Sequence, residues 1–121
     1  MSAKILLVDG STLRMPFLND LLAEAGEVTR YEQHRKALNA VKRGLGVDVA
    51  VIHYRLALTP LIQAIRSYAP RAKILAYGSP RRDTPLGVDR YLSQPILSAE
   101  LASIVDEMAA KPRAARANGE A

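Results

Sequence analysis

Apolar and polar positions alternate along this chain in blocks that predict strands and helices in turn. Short apolar runs rich in branched residues are typical of buried parallel strands. The run from Val47 to Ile52 is apolar at almost every position, which predicts a strand that is covered on both faces and therefore central. Five strands are predicted: Lys4–Val8, Glu27–Tyr31, Val47–Ile52, Ala72–Tyr77 and Asp89–Leu92.

Helices are predicted where apolar residues recur every three or four positions. Thr59 followed by Pro60 is typical of a helix start, and Gly26 and Gly44 are typical of helix ends. Ser98 is the expected N-cap of the last helix. Four helices are predicted: from Ser11 or Thr12 to about Ala25, Glu32–Arg43, Thr59–Tyr68 and Ser98–Ala110.

This order of elements predicts an α/β fold with a five-stranded parallel sheet between two layers of helices. Right-handed crossovers favour the flavodoxin-like strand order 2-1-3-4-5. Only ten residues separate Tyr77 from Gly87, and they include Pro80 and Pro85. The helix that would normally join strands 4 and 5 is therefore expected to be shortened or missing.

Size and composition set limits on the class of protein. The 121 residues predict one domain, residues 1–110, followed by a basic segment, residues 111–121, that is expected to be a disordered tail or the start of a linker. There is no cysteine, which excludes disulfides and thiolate metal sites and suits a cytoplasmic location. No apolar stretch is long enough for a signal peptide or a membrane span. The net charge of +5 permits nucleic-acid binding, but no aromatic and basic stripe favours it.

Four stretches, taken together and in order, resemble the receiver domain of bacterial two-component response regulators. They are Lys4–Asp9, Asp48–Ile52, Lys73–Gly78 and Val88–Pro95, and the resemblance extends over roughly residues 3–110. The last is similar to the family's signature of aspartate, tyrosine, leucine, any residue, lysine and proline. The resemblance implies a signalling role. It also implies a pocket at the strand ends in which an aspartate accepts a phosphoryl group beside a Mg²⁺ ion.

This chain departs from the family at most positions of that pocket. The first acid is kept as Asp9, but Gly10 replaces the second, His53 stands at the place of the phosphorylated aspartate, Tyr77 at that of a Ser or Thr, and Gln94 at that of the lysine. One carboxylate alone is a poor Mg²⁺ site, and a neutral amide cannot offset phosphate charge. We therefore predict a degenerate receiver, or pseudo-receiver, without aspartyl phosphorylation, catalytic residues, metal or cofactor.

Several of these residues have more than one role open to them. His53 is either a polar side chain with local hydrogen bonds or a phosphoryl acceptor, metal ligand or pH sensor. Asp9 either persists without a role or fixes the turn that follows it, and Ser79 is a candidate substitute for the missing hydroxyl. His34 is expected at the solvated surface. Gln94 is expected in a tight turn with a cis bond to its proline.

The predicted function is a signalling module that acts through protein–protein contacts. The partners would be other signalling proteins or a second copy of the chain, and the contact surface would combine the last helix with the shortened segment between strands 4 and 5. Its expected partner-binding residues are Ser79, Arg81, Arg82, Arg90 and Tyr91. Alternatives are a small-ligand or nucleotide sensor that binds near Gly10 at a helix N-terminus, a receiver with an atypical phosphate response, and nucleic-acid association through the tail. No enzyme-like arrangement of a nucleophile, a base and an acid is present in the sequence.

Overall fold

The computed structural model describes residues 3–9 and 18–120, and the side chains of these residues up to Ala110. Five parallel strands form one sheet in the order β2-β1-β3-β4-β5, as predicted. The strand bounds differ from the predicted ones by at most two residues, and the carboxyl ends of β1 and β2 agree with the prediction. They are β1 Ala3–Val8, β2 Gly26–Tyr31, β3 Val49–His53, β4 Lys73–Gly78 and β5 Arg90–Ser93.

Four helices flank the sheet: α1 Leu18–Ala23, α2 His34–Lys42, α3 Thr59–Tyr68 and α4 Ser98–Glu120. The predicted start of α1 at Ser11 or Thr12 lies outside the described residues. Thr59 is not the N-cap of α3, because a 3₁₀ turn over Leu56–Leu58 leads directly into the helix. Thr59 is already helical, and its hydroxyl donates to the carbonyl of Leu56 at 2.9 Å.

Helix α4 does not end at Ala110 as predicted. Its backbone stays helical to Glu120. The alanines and arginines of this segment have high helix propensity, which favours continuation of the helical backbone. The domain limit at residue 110 and the role of residues 111–121 as a tail or linker remain predictions. Within the described part of the chain, no helix has the length and hydropathy that a bilayer crossing requires.

The core consists of two apolar clusters, one on each face of the sheet. Side chains alternate between them along β3: Val49 and Val51 face α1 and α4, whereas Ala50 and Ile52 face α2 and α3. All four are fully buried, so β3 is the central strand that its apolar sequence predicts. This rigid centre fixes the position of the residues that follow each strand.

The connection between β4 and β5, residues 79–89, contains no helix, as predicted. One arginine of α3 holds it in place instead. The guanidinium of Arg66 donates to the carbonyls of Gly87 at 2.8 Å and Ala72 at 2.9 Å, and to the carboxylate of Asp89 at 2.6 Å. Gly87 adopts a φ of +85°, which a residue without Cβ takes at little cost. The connection is therefore tied to α3 along its second half.

Candidate functional site

Three of the predicted pocket residues meet at the carboxyl edge of the sheet. Asp9 follows β1, His53 ends β3, and Tyr77 is the neighbour of His53 in the register of β3 and β4. The backbone N–H after His53 donates to the Tyr77 carbonyl at 2.8 Å, which extends the ladder by one bond. Gly10, the fourth predicted position, lies outside the described residues.

Asp9 is buried, with 3% of its surface exposed, and it lies next to a fully buried tyrosine. The hydroxyl of Tyr77 donates a hydrogen bond to Oδ2 of Asp9. Arg30 of β2 adds a bond from Nη2 to the backbone carbonyl of Asp9 at 3.2 Å. A carboxylate in the interior is costly unless such donors surround it. The aromatic side chain therefore both fills the space beside Asp9 and satisfies one of its oxygens.

His53 is half-buried and packs against the same tyrosine. The two ring centroids are 5.4 Å apart, and the ring planes are inclined by 48°. His53 also lines a recess of about 10 Å³, the space of roughly one water molecule. The lining residues of this recess are Val8, Asp9, Glu32, His34, His53, Arg55 and Leu58.

Two of these lining residues, Glu32 just after β2 and His34 at the start of α2, were not predicted to belong to the site. Glu32 had no assigned role, and His34 was expected at the solvated surface but is half-buried in the lining of the recess. Their proximity to Asp9 could have been predicted from the strand order, because β2 is the neighbour of β1 and its end lies beside the residue that follows β1. No group of three or more His, Cys, Asp or Glu residues in the described part of the chain is arranged to hold a metal ion.

Gln94 lies one strand further along the same edge. Its backbone N–H donates to the Gly78 carbonyl at 2.8 Å, and its bond to Pro95 is cis, as predicted. Gly78 itself leaves little room for a side chain, because an added Cβ would lie 3.0 Å from the hydroxyl of Tyr91. Tyr91 thus covers the end of β4 from the neighbouring strand.

Tyr91 belongs to a second arrangement, the arginine–tyrosine cluster of Tyr54, Arg81 and Tyr91. The two tyrosine rings meet edge to face, with centroids 6.2 Å apart. The guanidinium carbon of Arg81 lies 5.0 Å from the Tyr54 centroid and 5.7 Å from that of Tyr91. Tyr91 donates to the Ser79 carbonyl at 2.6 Å, and Nε of Arg81 donates to the Asp83 carbonyl at 3.1 Å. Burial raises the pKa of the Tyr91 hydroxyl above 10.0. The charge of Arg81 lowers this pKa, and the neighbouring Tyr54 raises it.

The structure separates the predicted partner-binding residues into two places. Ser79, Arg81 and Tyr91 come together in and around the cluster, and Arg82 is exposed beside them. Arg90 begins β5 and therefore lies at the opposite, amino edge of the sheet. There it lines a cavity of about 250 Å³ together with Lys73, Asp89, Ile104, Glu107 and Met108. The expected patch of three arginines is thus not one surface.

No protein-family model and no curated protein matches this chain. Solved structures do match it. A crystal structure of an adenylate cyclase from Rhodopirellula baltica has a TM-score of 0.81 at 22% identity, over 99% of this chain and 96% of that one. A response regulator receiver protein from Sinorhizobium medicae has a TM-score of 0.75 at 23% identity, over 92% and 97%.

A receiver domain from Clostridium thermocellum gives the same TM-score at 18% identity, over 92% of this chain and 97% of that one. These likenesses concern the arrangement of strands and helices, since few residues are shared. The chain has the flavodoxin-like fold of response regulator receiver domains.

Proposed function

We propose that this chain is a receiver-like signalling module that acts through protein–protein contacts and does not use aspartyl phosphorylation. The hydrogen bond from the Tyr77 hydroxyl to the Asp9 carboxylate carries the proposal. Asp9 is the one acid that the chain keeps from the receiver pattern, and a Mg²⁺ ion would need its oxygens. A buried tyrosine that already binds one of them competes directly with a metal.

The neighbouring positions support the same conclusion. His53 stands where a receiver has the aspartate that accepts the phosphoryl group, and Gln94 stands where it has a lysine. A phosphoryl group brings up to two negative charges, which receivers balance with the metal and the lysine. Gln94 and the Tyr77 hydroxyl supply neither the positive charge of the metal nor that of the lysine. A phosphorylated state would therefore lack the interactions that stabilise it.

The size of the recess favours a protein partner over a small ligand. Pockets that bind small molecules usually enclose about 300–1,000 Å³, whereas the recess beside His53 has about 10 Å³. Among the described residues at the strand ends, a nucleotide would need this recess to open widely, against the buried packing of Tyr77. Contact at the outer surface requires no such opening.

Enzymatic activity is the competing function raised by the name of the Rhodopirellula protein. We propose that this chain is not an enzyme, because the recess that the described residues form beside His53 does not admit a nucleoside triphosphate. Incubation with ATP and Mg²⁺ or Mn²⁺, followed by chromatography, is expected to give no cyclic AMP above a heat-inactivated control. Steady product formation proportional to protein concentration would refute the proposal.

The decisive experiment is an amide NMR titration with Mg²⁺ and then beryllofluoride, a mimic of aspartyl phosphate. We expect no localised shifts at Asp9, His53 or Tyr77. Saturable shifts at these residues that spread into residues 79–92 would show a retained phosphate response and overturn the proposal. Mass spectrometry after treatment with acetyl phosphate is expected to show no added phosphoryl group.

A restored variant provides the positive control for this titration. It combines Gly10→Asp, His53→Asp, Tyr77→Thr and Gln94→Lys, and so recreates the acid pair, acceptor, hydroxyl and lysine around Asp9. We expect saturable beryllofluoride shifts in this variant, because charge compensation for the ligand is present again. The comparison shows that the assay detects a competent pocket on this fold.

A further inference from the structure

We infer that the arginine–tyrosine cluster is a recognition site for an acidic side chain of a partner protein. The inference rests on the proposed function and names the chemistry of its partner. The starting observation is that Arg81, although exposed, is held in one place by two rings and a backbone carbonyl. An arginine fixed before binding loses little side-chain entropy when it binds.

The donors that remain on Arg81 fit a carboxylate. A guanidinium that stacks on an aromatic ring keeps its N–H groups available in its own plane. Nε is used by the Asp83 carbonyl at 3.1 Å. Neither Nη atom bonds to another described residue, so these groups are available for the two-bond geometry that arginine forms with carboxylates.

Charge around the cluster also favours an acidic partner. Arg55 follows Tyr54, and Arg82 follows Arg81; both side chains are exposed. The two segments, residues 54–56 and 79–83, thus carry three arginines and one acid, Asp83, which gives them a formal net charge of +2. An acidic partner segment would meet a complementary surface.

An exposed leucine indicates that the partner also carries an apolar residue. Leu56 comes two residues after Tyr54 and is 80% exposed in the 3₁₀ turn. Isolated exposed leucines are common, but this one borders a cluster with preorganised charge. Interfaces typically place an apolar contact beside such an arginine anchor.

A nucleic acid fits this surface less well than a protein. Single-stranded nucleic acids bind by stacking bases on open aromatic rings along a basic groove. Here the guanidinium of Arg81 already covers Tyr54 and Tyr91. A net charge of +2 is also small beside the six to ten phosphate contacts that sustain typical binding to duplex DNA.

The test uses the whole chain and two synthetic peptides of equal length. One is an amphipathic peptide of glutamate and leucine, and the other replaces every glutamate by glutamine. Amide shifts and the Nε–Hε signal of Arg81 are followed by NMR. We expect saturable shifts at Tyr54, Arg81 and Tyr91 with the acidic peptide, and at least about tenfold weaker binding of the glutamine peptide.

Two variants test the geometry rather than the charge alone. Arg81→Lys keeps the charge but removes the planar guanidinium. It is expected to weaken binding of the acidic peptide about tenfold or more. Its matched control is Arg71→Lys, in the exposed turn before β4 at the other edge of the sheet, which is expected to change affinity less than about twofold. Tyr54→Leu keeps Arg81 but removes a stacking ring, and is expected to weaken binding several-fold.

Three outcomes would overturn the inference: no saturable shift at the cluster, equal binding of both peptides, or an unchanged affinity of the Arg81→Lys variant for the acidic peptide. Tighter binding of a single-stranded oligonucleotide at the same residues would also overturn it, in favour of phosphate recognition. Failure of the proposed function is separate, because it is read from beryllofluoride shifts at Asp9 and His53. The peptide titration does not report on that pocket.

Discussion

At the scale of single residues, the proposed independence from aspartyl phosphorylation rests on Asp9 and Tyr77. A buried carboxylate must have donors, and in receivers a metal ion supplies much of what it needs. Here a phenol hydroxyl supplies part of it. Under the proposed function, a contact within the chain thus stands where receivers have one that depends on a bound metal ion.

Replacing Tyr77 by Phe tests the contribution of this contact. The ring remains, but the carboxylate of Asp9 loses one donor inside the core. We expect the free energy of unfolding in urea to fall by about 1–2 kcal/mol. Tyr68→Phe is the matched control, since that side chain is exposed at the end of α3; its effect is expected within about 0.5 kcal/mol. Equal effects of the two substitutions would contradict the account of Asp9.

Tyr91 predicts a specific loss of stability in alkali. Its pKa is raised in the folded state because burial disfavours the phenolate. The unfolded tyrosine ionises first, near its ordinary pKa of 10.0. Its contribution to stability is therefore complete below about pH 10 and is lost as pH rises through the higher folded pKa.

The measurement compares unfolding of the wild type and Tyr91→Phe between pH 8 and 11.5. We expect the stability of the wild type to fall more steeply above pH 10, because the phenylalanine cannot ionise. Ionisation also removes the hydrogen bond from Tyr91 to the Ser79 carbonyl. If the two proteins gave parallel curves of stability against pH, Tyr91 would not be responsible for the loss of stability above pH 10.

Part of this site could be predicted from the sequence, because the ends of apolar runs mark the ends of buried strands. The proximity of Asp9, His53 and Tyr77 follows from strand order and register alone. The bond between Tyr77 and Asp9 does not, because it depends on which way one side chain turns inside the core. The role of Tyr54 was also missed, since its ring meets Tyr91 and Arg81 only when the connection after β4 has folded back.

At the scale of elements, the connection from β4 to β5 depends on Arg66. Arg66→Lys keeps a charge near Asp89 but cannot make all three hydrogen bonds. We expect a loss of about 1–2 kcal/mol in unfolding free energy. Hydrogen exchange should accelerate at the amide of Asp89, which donates to the Ile74 carbonyl at 2.9 Å. Unchanged exchange at that amide would show that the connection is held by other contacts.

The sequence predicted the absence of a helix here for a simple physical reason. Two prolines within a span of ten residues leave no room for uninterrupted backbone hydrogen bonds. The bounds of α3 were predicted correctly, but the N-cap assigned to it and the end of α4 were wrong. Thr59 is typical of an N-cap yet lies inside the helix, and α4 continues past Ala110 because alanine and arginine favour the helical backbone.

At the scale of the whole molecule, the packed face of α4 limits how much of the chain the fold needs. Among its described side chains, which extend to Ala110, the last buried apolar one is Met108. A chain ending at Ala110 is expected to keep its unfolding free energy within about 1 kcal/mol of the full chain, since it keeps every described core contact of α4. This result would support the predicted domain limit.

A shorter chain provides the contrast. Ending at Ser103 removes Ile104, Val105 and Met108, all buried against the sheet. Each such loss typically costs about 2–5 kcal/mol, against a total stability of about 5–15 kcal/mol. We expect this chain to be unfolded by circular dichroism. A cooperative melt of the chain ending at Ser103 would show that α4 is dispensable.

The tyrosine that occupies the Asp9 carboxylate also has a consequence for how a cell would use such a module. A conventional receiver can be abundant and silent until a kinase acts, and a phosphatase can silence it again within its lifetime. If the proposed function holds, a module whose acidic oxygen is already satisfied from within would have no such reversible mark. Its output would follow its copy number, so transcription and proteolysis, rather than kinase activity, would set the strength and the duration of the signal.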